Sequence, residues 1–390
     1  MDTTLPWNLA PELPWRMLSS PAQQWDRLPS FLVGEYLFIA LALVALWHAR
    51  REGRAHLLVW VSAIVAGTMN DIIFMALPVV DNFWQSQATI MLTPRLPLYI
   101  PCVYVCFMYY PTVSVWRLRL PQLPRATLTG LSAIIFYAPY DIIGAKFLWW
   151  TWHDTDAPIA DRLVGVPVGS TIWVITFVAT FAFLVGRAVD RDPEMRPAAF
   201  ARTLATVAAL CTFLMVVQMT VLQQVDGGTP GYLTLIAAAV IYAVVVARGL
   251  RAANPQLVKP THRVLHRALV VYFATLVGIM ALSDPEAHRA ESLHQTYGAC
   301  GVKAKDLMGN IRHKYLCAED YDEDFSFACV DSPPAAGTQW YTVCGKAHSS
   351  FPLWMGAVGG LGAVGVLLYS LLLGALAPRR ESAVDSPSAG

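Results

Sequence analysis

The 390 residues are 56% hydrophobic and only 14% charged, with a net charge of +1. That balance excludes a soluble domain built around one core, and it reads as a multi-pass membrane protein. The cations sit in short loops between apolar stretches rather than in one basic patch, so no nucleic-acid partner is read from them.

The first thirty residues carry Trp7, Trp15 and Trp25 among prolines and read as a tail lying on the membrane interface. No charged stretch leads into a short apolar run with a cleavage site, so no cleavable signal peptide is expected. Nine spans follow, at roughly 31–49, 56–80, 97–116, 127–148, 164–186, 201–225, 230–248, 265–283 and 352–377. The expected fold is an all-α polytopic transmembrane helix bundle. Residues 31–250 form a seven-span core, and 251–390 form a two-span extension with a loop at 284–351 and a short tail.

Arginines fill alternate loops: Arg50, Arg51 and Arg54, then Arg117, Arg119 and Arg125, then Arg187, Arg191 and Arg196, then Arg248, Arg251 and Arg263, and finally Arg379 and Arg380. These loops are expected on the cytoplasmic side, with the N-terminus lumenal or extracellular, in the endomembrane system or the plasma membrane. The loop at 284–351 then faces an oxidising compartment, and its Cys300, Cys317, Cys329 and Cys344 read as two disulfides with three possible pairings. A zinc site there is the competing reading, but the spacing lacks a CxxC or HxxxH pair.

Within the spans, polar groups are few. Glu35 opens the first span and His48, read as interfacial, closes it; Asn70 and Asp71 lie inside the second. The polar, proline-rich stretch from Asp81 to Pro97 is expected to fold back over the outer mouth. The third span holds Pro101 and Pro111, which remove backbone donors, and Tyr104, Tyr109 and Tyr110, which add hydroxyls. The fourth carries Tyr140 and Asp141, then leaves the membrane through Trp149, Trp150 and Trp152 into the polar run from His153 to Arg162. His153 with Asp154 and Asp156 has ligand residue types without metal spacing, so no metal is assigned and no cofactor is expected.

Ser170 and Thr171 open the fifth span, and Gln218, Gln223 and Gln224 lie along the sixth. The basic connector after Arg251 is placed to meet anionic lipid headgroups. In the ninth span, Gly356, Gly359, Gly360, Gly362 and Gly365 offer surfaces for close packing, within the chain or as helix-mediated self-association.

Topology converts these positions into depths. Asp71 lies 15 residues beyond His56, and Asp141 lies 14 beyond Thr127. At ~1.5 Å per residue both acids stand roughly 21–23 Å up a ~30 Å core, and Glu35 stands about 24 Å up. Tyr104, Ser170 and Gln218 fall near that level. The expectation is an outward-facing polar chamber in which Asp141, Asp71 and Glu35 carry chemistry, while Asn70, Tyr104, Tyr140, Trp149, Trp152, His153, Ser170 and Gln218 contact a ligand. The bland alternative makes Asp141 helix-to-helix glue and leaves Glu35 and Asp71 hydrated near the interface.

At these residues the sequence resembles, over roughly 30–250, the carotenoid-biosynthesis integral membrane family that includes the bacterioruberin and gamma-carotene hydratases. The likeness rests on the acids of spans one, two and four, on PLYIPCVYVCFMYYP, on Trp149 and Trp152, and on GVPVGSTIW. It is more similar to a eukaryotic multi-pass family of uncharacterised activity with a WWTWHDTDP-like motif, matched from Trp149 to Ala157. The first resemblance implies acid-catalysed addition of water to an isoprenoid double bond, with Asp141 and Asp71 as the acid–base pair and Glu35 and Tyr104 orienting. The expected ligand is therefore a hydrophobic isoprenoid or lipid-like molecule, with membrane lipids as neighbours. A non-catalytic receptor, carrier or assembly factor that uses the cysteine loop for partner binding is the second expectation.

Overall fold

The computed structural model describes residues 13–77, 83–152, 157–252, 262–305, 311–317 and 325–374. His153, Asp154 and Asp156, most of the basic connector, and the C-terminal tail lie outside the described residues.

Short α1 (Pro21–Arg27) leads into α2 (Pro29–Glu52) and α3 (Arg54–Ala76). Next come β1 (Phe83–Gln85), β2 (Met91–Thr93), β3 (Leu96–Pro97), α4 (Tyr99–Trp116) and α5 (Gln122–Lys146). β4 (Trp150–Trp152), α6 (Ala157–Ala160), β5 (Arg162–Leu163) and β6 (Val166–Pro167) precede α7 (Val168–Arg191), α8 (Pro197–Leu222), α9 (Tyr232–Ala252) and α10 (Arg263–Leu282). The cysteine loop supplies β7 (Arg289–Leu293), β8 (Lys303–Lys305), β9 (Ile311–His313), β10 (Phe325–Ser326) and β11 (Trp340–Gly345), and α11 (Phe351–Leu372) ends the described chain.

Among the described residues, eight helices are long and apolar enough to cross a membrane: α2, α3, α5 and α7 to α11. The chain is thus an integral multi-pass membrane protein. Large apolar side chains along α8 to α11, such as Phe213, Ile236, Val271 and Leu367, are exposed, as lipid contact requires.

The third expected span, 97–116, is α4, and it differs in kind from those eight. All of its residues except Cys102 are buried, packed among α2, α3, α5 and α7. A helix enclosed on every side needs no polar stripe. Pro111 interrupts its ladder, and the Thr112 and Ser114 hydroxyls donate to the carbonyls of Met108 and Tyr110 one turn back. Pro101 instead falls in the first turn, where its missing N–H costs nothing.

α5 ends at Lys146, two residues before the expected boundary, in a Schellman arrangement: Trp149 N–H donates to Gly144 O and Leu148 N–H to Ala145 O. Leu148 takes the left-handed conformation at φ 58° that glycine normally occupies there. The chain reverses, and β4 pairs antiparallel with β1, Gln85 opposite Trp150 and Phe83 opposite Trp152. The fold-back of the 81–97 stretch over this end is thereby realised by its described part.

The cap built on the cysteine loop is an antiparallel sheet in the order β10–β11–β7, with the β8–β9 hairpin beside it. Cys300–Cys317 clasps the base of that hairpin and Cys329–Cys344 pins the end of β11, which selects one of the three pairings. Gln87 N–H donates to Glu291 O, and Arg27 pairs with the Glu291 carboxylate at 2.5 Å, so the cap is braced on the mouth loop and on α1. In α11, Gly362 and Gly365 face Phe273 of α10, which assigns that part of the glycine surface to packing within the chain.

Cys329→Ser combined with Cys344→Ser opens a loop of 15 residues' separation. The expected loss of cap stability is about 3 kcal/mol. It should appear as faster amide exchange in β7 and β11 with α4 unchanged, and equal exchange in the two proteins would contradict it.

Candidate functional site

A cavity of about 550 Å³ lies among α3, α4, α5, α7 and α8, beneath β1, β4 and the 223–230 turn. Its wall is mostly aromatic and apolar, with a few polar groups, as ligand cavities are. Asp71 of α3 and Asp141 of α5 both line it. The two acids whose depths agree by residue counting thus face one space.

Each is held differently. Tyr104 donates its phenol to Asp71 Oδ1 at 2.5 Å, Asn70 Nδ2 donates to the same phenol oxygen at 3.1 Å, and Thr212 donates to Asn70 Oδ1 at 3.3 Å. This chain of donors runs from α8 through α3 to α4 and ends on a carboxylate. Tyr104 comes so close to α3 because the facing residue is Gly67: any Cβ there would enter the phenol ring. Asp141 is approached less fully. Ser170 Oγ donates to its Oδ2 at 2.7 Å, while buried Oδ1 makes no hydrogen bond of ordinary geometry and has the Tyr137 phenol one turn below it. The indole N–H groups of Trp150 and Trp173, both on the wall, are also buried without a partner. A buried acid oxygen and two indole donors left open around one cavity are what a polar group of a bound molecule would meet.

Aromatic faces complete the wall. Trp173 meets Tyr104 and Phe107 at ring distances of 6.1 Å, and Tyr140 packs on Trp150 at 5.0 Å. Trp152 stands at the mouth with Arg162 5.8 Å over its ring.

Of the residues expected at the site, Asn70, Asp71, Tyr104, Tyr140, Asp141, Trp152 and Ser170 line this cavity. Three lie elsewhere. Glu35 accepts from Thr89 N–H at 2.9 Å, Thr89 Oγ1 at 2.8 Å and Ile90 N–H at 3.1 Å, so it anchors the 85–97 loop and has no place in the chamber. Counting residues gives an expected depth and no direction, and the Glu35 carboxylate is turned to Thr89 and Ile90. Trp149 is fully buried, stacked on Phe31 at 5.7 Å, with its N–H donating to Ser30 Oγ at 3.0 Å. It is a core residue, not a headgroup-level ring. Gln218 donates to Thr180 at 2.6 Å and accepts from Tyr242 at 2.9 Å, tying α8 to α7 and α9. Sequence reasoning missed Tyr137, Trp173 and Phe107 as wall residues; their aromatic type was the only available signal, and it is common in membrane helices.

The cap reaches the mouth through buried histidines. His288 Nε2 lies 2.7 Å from Ser30 Oγ, and His294 Nδ1 lies 3.4 Å from the hydroxyl of Thr151 in β4. Burial among apolar neighbours pushes His294 down to about 3, and burial also lowers His288. Above about pH 6.5 both are neutral whether folded or unfolded, and they add no pH dependence. As the pH falls from there towards 3, the unfolded cap takes up protons that the folded one refuses, so stability is lost. Cap amide protection factors, referred to the intrinsic exchange rate at each pH, are expected to fall from pH 7 to pH 4, and less steeply in His294→Gln. An identical slope in the variant would remove His294 as the cause.

The family described as Domain of unknown function (DUF7802) matches residues 15–370. No curated protein and no solved structure matches the chain.

Proposed function

Taking as premise that the chain belongs to the DUF7802 family, we propose that it binds a hydrophobic isoprenoid or lipid-like molecule in the aromatic cavity and adds water to one of its double bonds. The observation that carries this reading is that two carboxyls from separate helices line one aromatic cavity, one of them with a buried oxygen that makes no hydrogen bond of ordinary geometry. Asp141 gives its proton to an alkene carbon, and the faces of Tyr104, Tyr140 and Trp173 stabilise the tertiary cation. Asp71, oriented by Tyr104, takes a proton from the water whose oxygen bonds to that cation. One water is added, one proton passes from Asp141 to Asp71 overall, and exchange with solvent at the mouth resets the pair.

With α4 counted among the crossings, the proposed orientation puts the cap end outside or in a lumen and the opposite end in the cytoplasm. What supports this orientation is that Arg50, Arg51, Arg117, Arg125, Arg191 and Arg251 stand at or next to helix ends away from the cap, while the two disulfides lie in the cap. The test is extraction of lipids from the purified protein followed by mass spectrometry. A retained isoprenoid-type alkene together with its water adduct is expected, and a cavity that yields neither would overturn the reading.

A further inference from the structure

Far from the cavity, at the opposite end of the bundle, α2 closes with His48 and Glu52 on one face, one turn apart. The residue just before α10, His262, is brought against them: His48 Nε2 lies 3.0 Å from His262 Nδ1 and 3.9 Å from Glu52 Oε1. One ligand-type atom from each of the three residues falls within 4.8 Å of the other two. His56 stands beside them, its ring 5.9 Å from that of His48.

We propose that His48, His262 and Glu52 form a binding site for a divalent transition cation of the zinc class. Tetrahedral coordination with bonds of about 2.0–2.1 Å sets ligand atoms about 3.3 Å apart. The two distances of 3.0 and 3.9 Å bracket that spacing, and the third separation is at most 4.8 Å, so adjustment of the partly exposed Glu52 side chain closes the set around an ion. Two imidazoles and a carboxylate are the donor set of many zinc sites that keep a fourth position open. The Glu52 side chain is 41% exposed, which gives that position a path to solvent, while His48 is buried.

The surroundings of His48 accommodate the metal-binding tautomer. Its Nδ1 lies 2.8 Å from the buried Tyr109 hydroxyl, and with an ion bound Nδ1–H donates to the phenol oxygen while Nε2 turns its lone pair to the ion. The nearby Arg50, Arg51, Arg54 and Arg263 are exposed to solvent, which screens their repulsion of a cation. A bound ion would fasten the start of α10 to the corner between α2 and α3. No local motif announces the site, because 214 residues separate its two histidines.

The test uses the full chain purified in detergent with a tag free of histidine, stripped with a chelator, then titrated with Co²⁺ and displaced with Zn²⁺. Wild-type protein is expected to take up a single equivalent of Co²⁺ with the visible absorption of tetrahedral nitrogen and oxygen coordination, bleached by an equivalent of Zn²⁺. His262→Gln and Glu52→Gln are expected to lose that spectrum. Tyr109→Phe, which touches no ion, is expected to weaken binding about 10–100-fold, as loss of an orienting partner does. Glu52 is partly exposed, so Glu52→Gln keeps the fold if His262→Gln does not. Failure of the wild type to take up stoichiometric Co²⁺, or an unchanged spectrum in Glu52→Gln, would overturn the assignment.

Discussion

Asp141→Asn is expected to leave the bundle folded and to lower the ratio of hydrated to unhydrated ligand by about 10²–10⁴-fold, the usual contribution of a positioned general acid. Asparagine keeps the volume of aspartic acid, and its carbonyl still accepts from Ser170, whose bond to Asp141 Oδ2 is 2.7 Å. What it lacks is a proton to give. The ratio is read by mass spectrometry on lipids extracted from wild type and variant made in the same cells, so both proteins sample the same ligand pool. Asp71→Asn provides the second arm. It leaves the Tyr104 phenol a neutral acceptor, and it is expected to lower the ratio as well, because no base then takes the proton of the attacking water. A wild-type ratio in both variants, with ligand retained, would reduce the cavity to a binding site.

The reach of sequence reasoning follows from what each level of structure depends on. Membrane helices declare themselves by composition, and the expected first span at 31–49 falls inside Pro29–Glu52. The fourth ran long at its far end because the stop signal is Leu148, a residue that seldom takes the left-handed cap, where a glycine would have been noticed. Depth follows from residue counting, which is why Asp71 and Asp141 were expected at one level and are found on one cavity. Azimuth does not follow from counting. Glu35, counted to the same depth, turns to Thr89, while Trp149, next in sequence to cavity-lining Trp150, turns inward to Phe31. Pairings across long separations were equally out of reach: the disulfide connectivity, and the approach of His262 to His48, depend on how helices are arranged and not on local pattern.

Trp149 and Trp152 therefore should answer differently to the same change, although both were expected at the ligand. Trp149→Ala removes a fully buried indole from between Phe31 and Tyr140, 5.7 and 5.9 Å away, and a loss of about 3–5 kcal/mol is expected for so large a cavity in a core. It also removes the N–H that holds Ser30 Oγ, the same hydroxyl that meets His288 of the cap at 2.7 Å, so α2, the 148–149 turn and the cap loosen together. Gly34 shows how closely that packing is matched, since a Cβ there would enter the Trp149 ring. Trp152 is half-buried on the cavity mouth, and its Arg162 contact is of the exposed kind that contributes about 0.5–1 kcal/mol. Trp152→Ala is expected to lower the amount of co-purified ligand while the denaturant midpoint hardly moves. Chemical unfolding in detergent, followed by lipid extraction from both variants, separates the two roles. A Trp149→Ala protein as stable as wild type, or a Trp152→Ala protein that keeps its full ligand load, would mean that the division between core and mouth has been drawn in the wrong place.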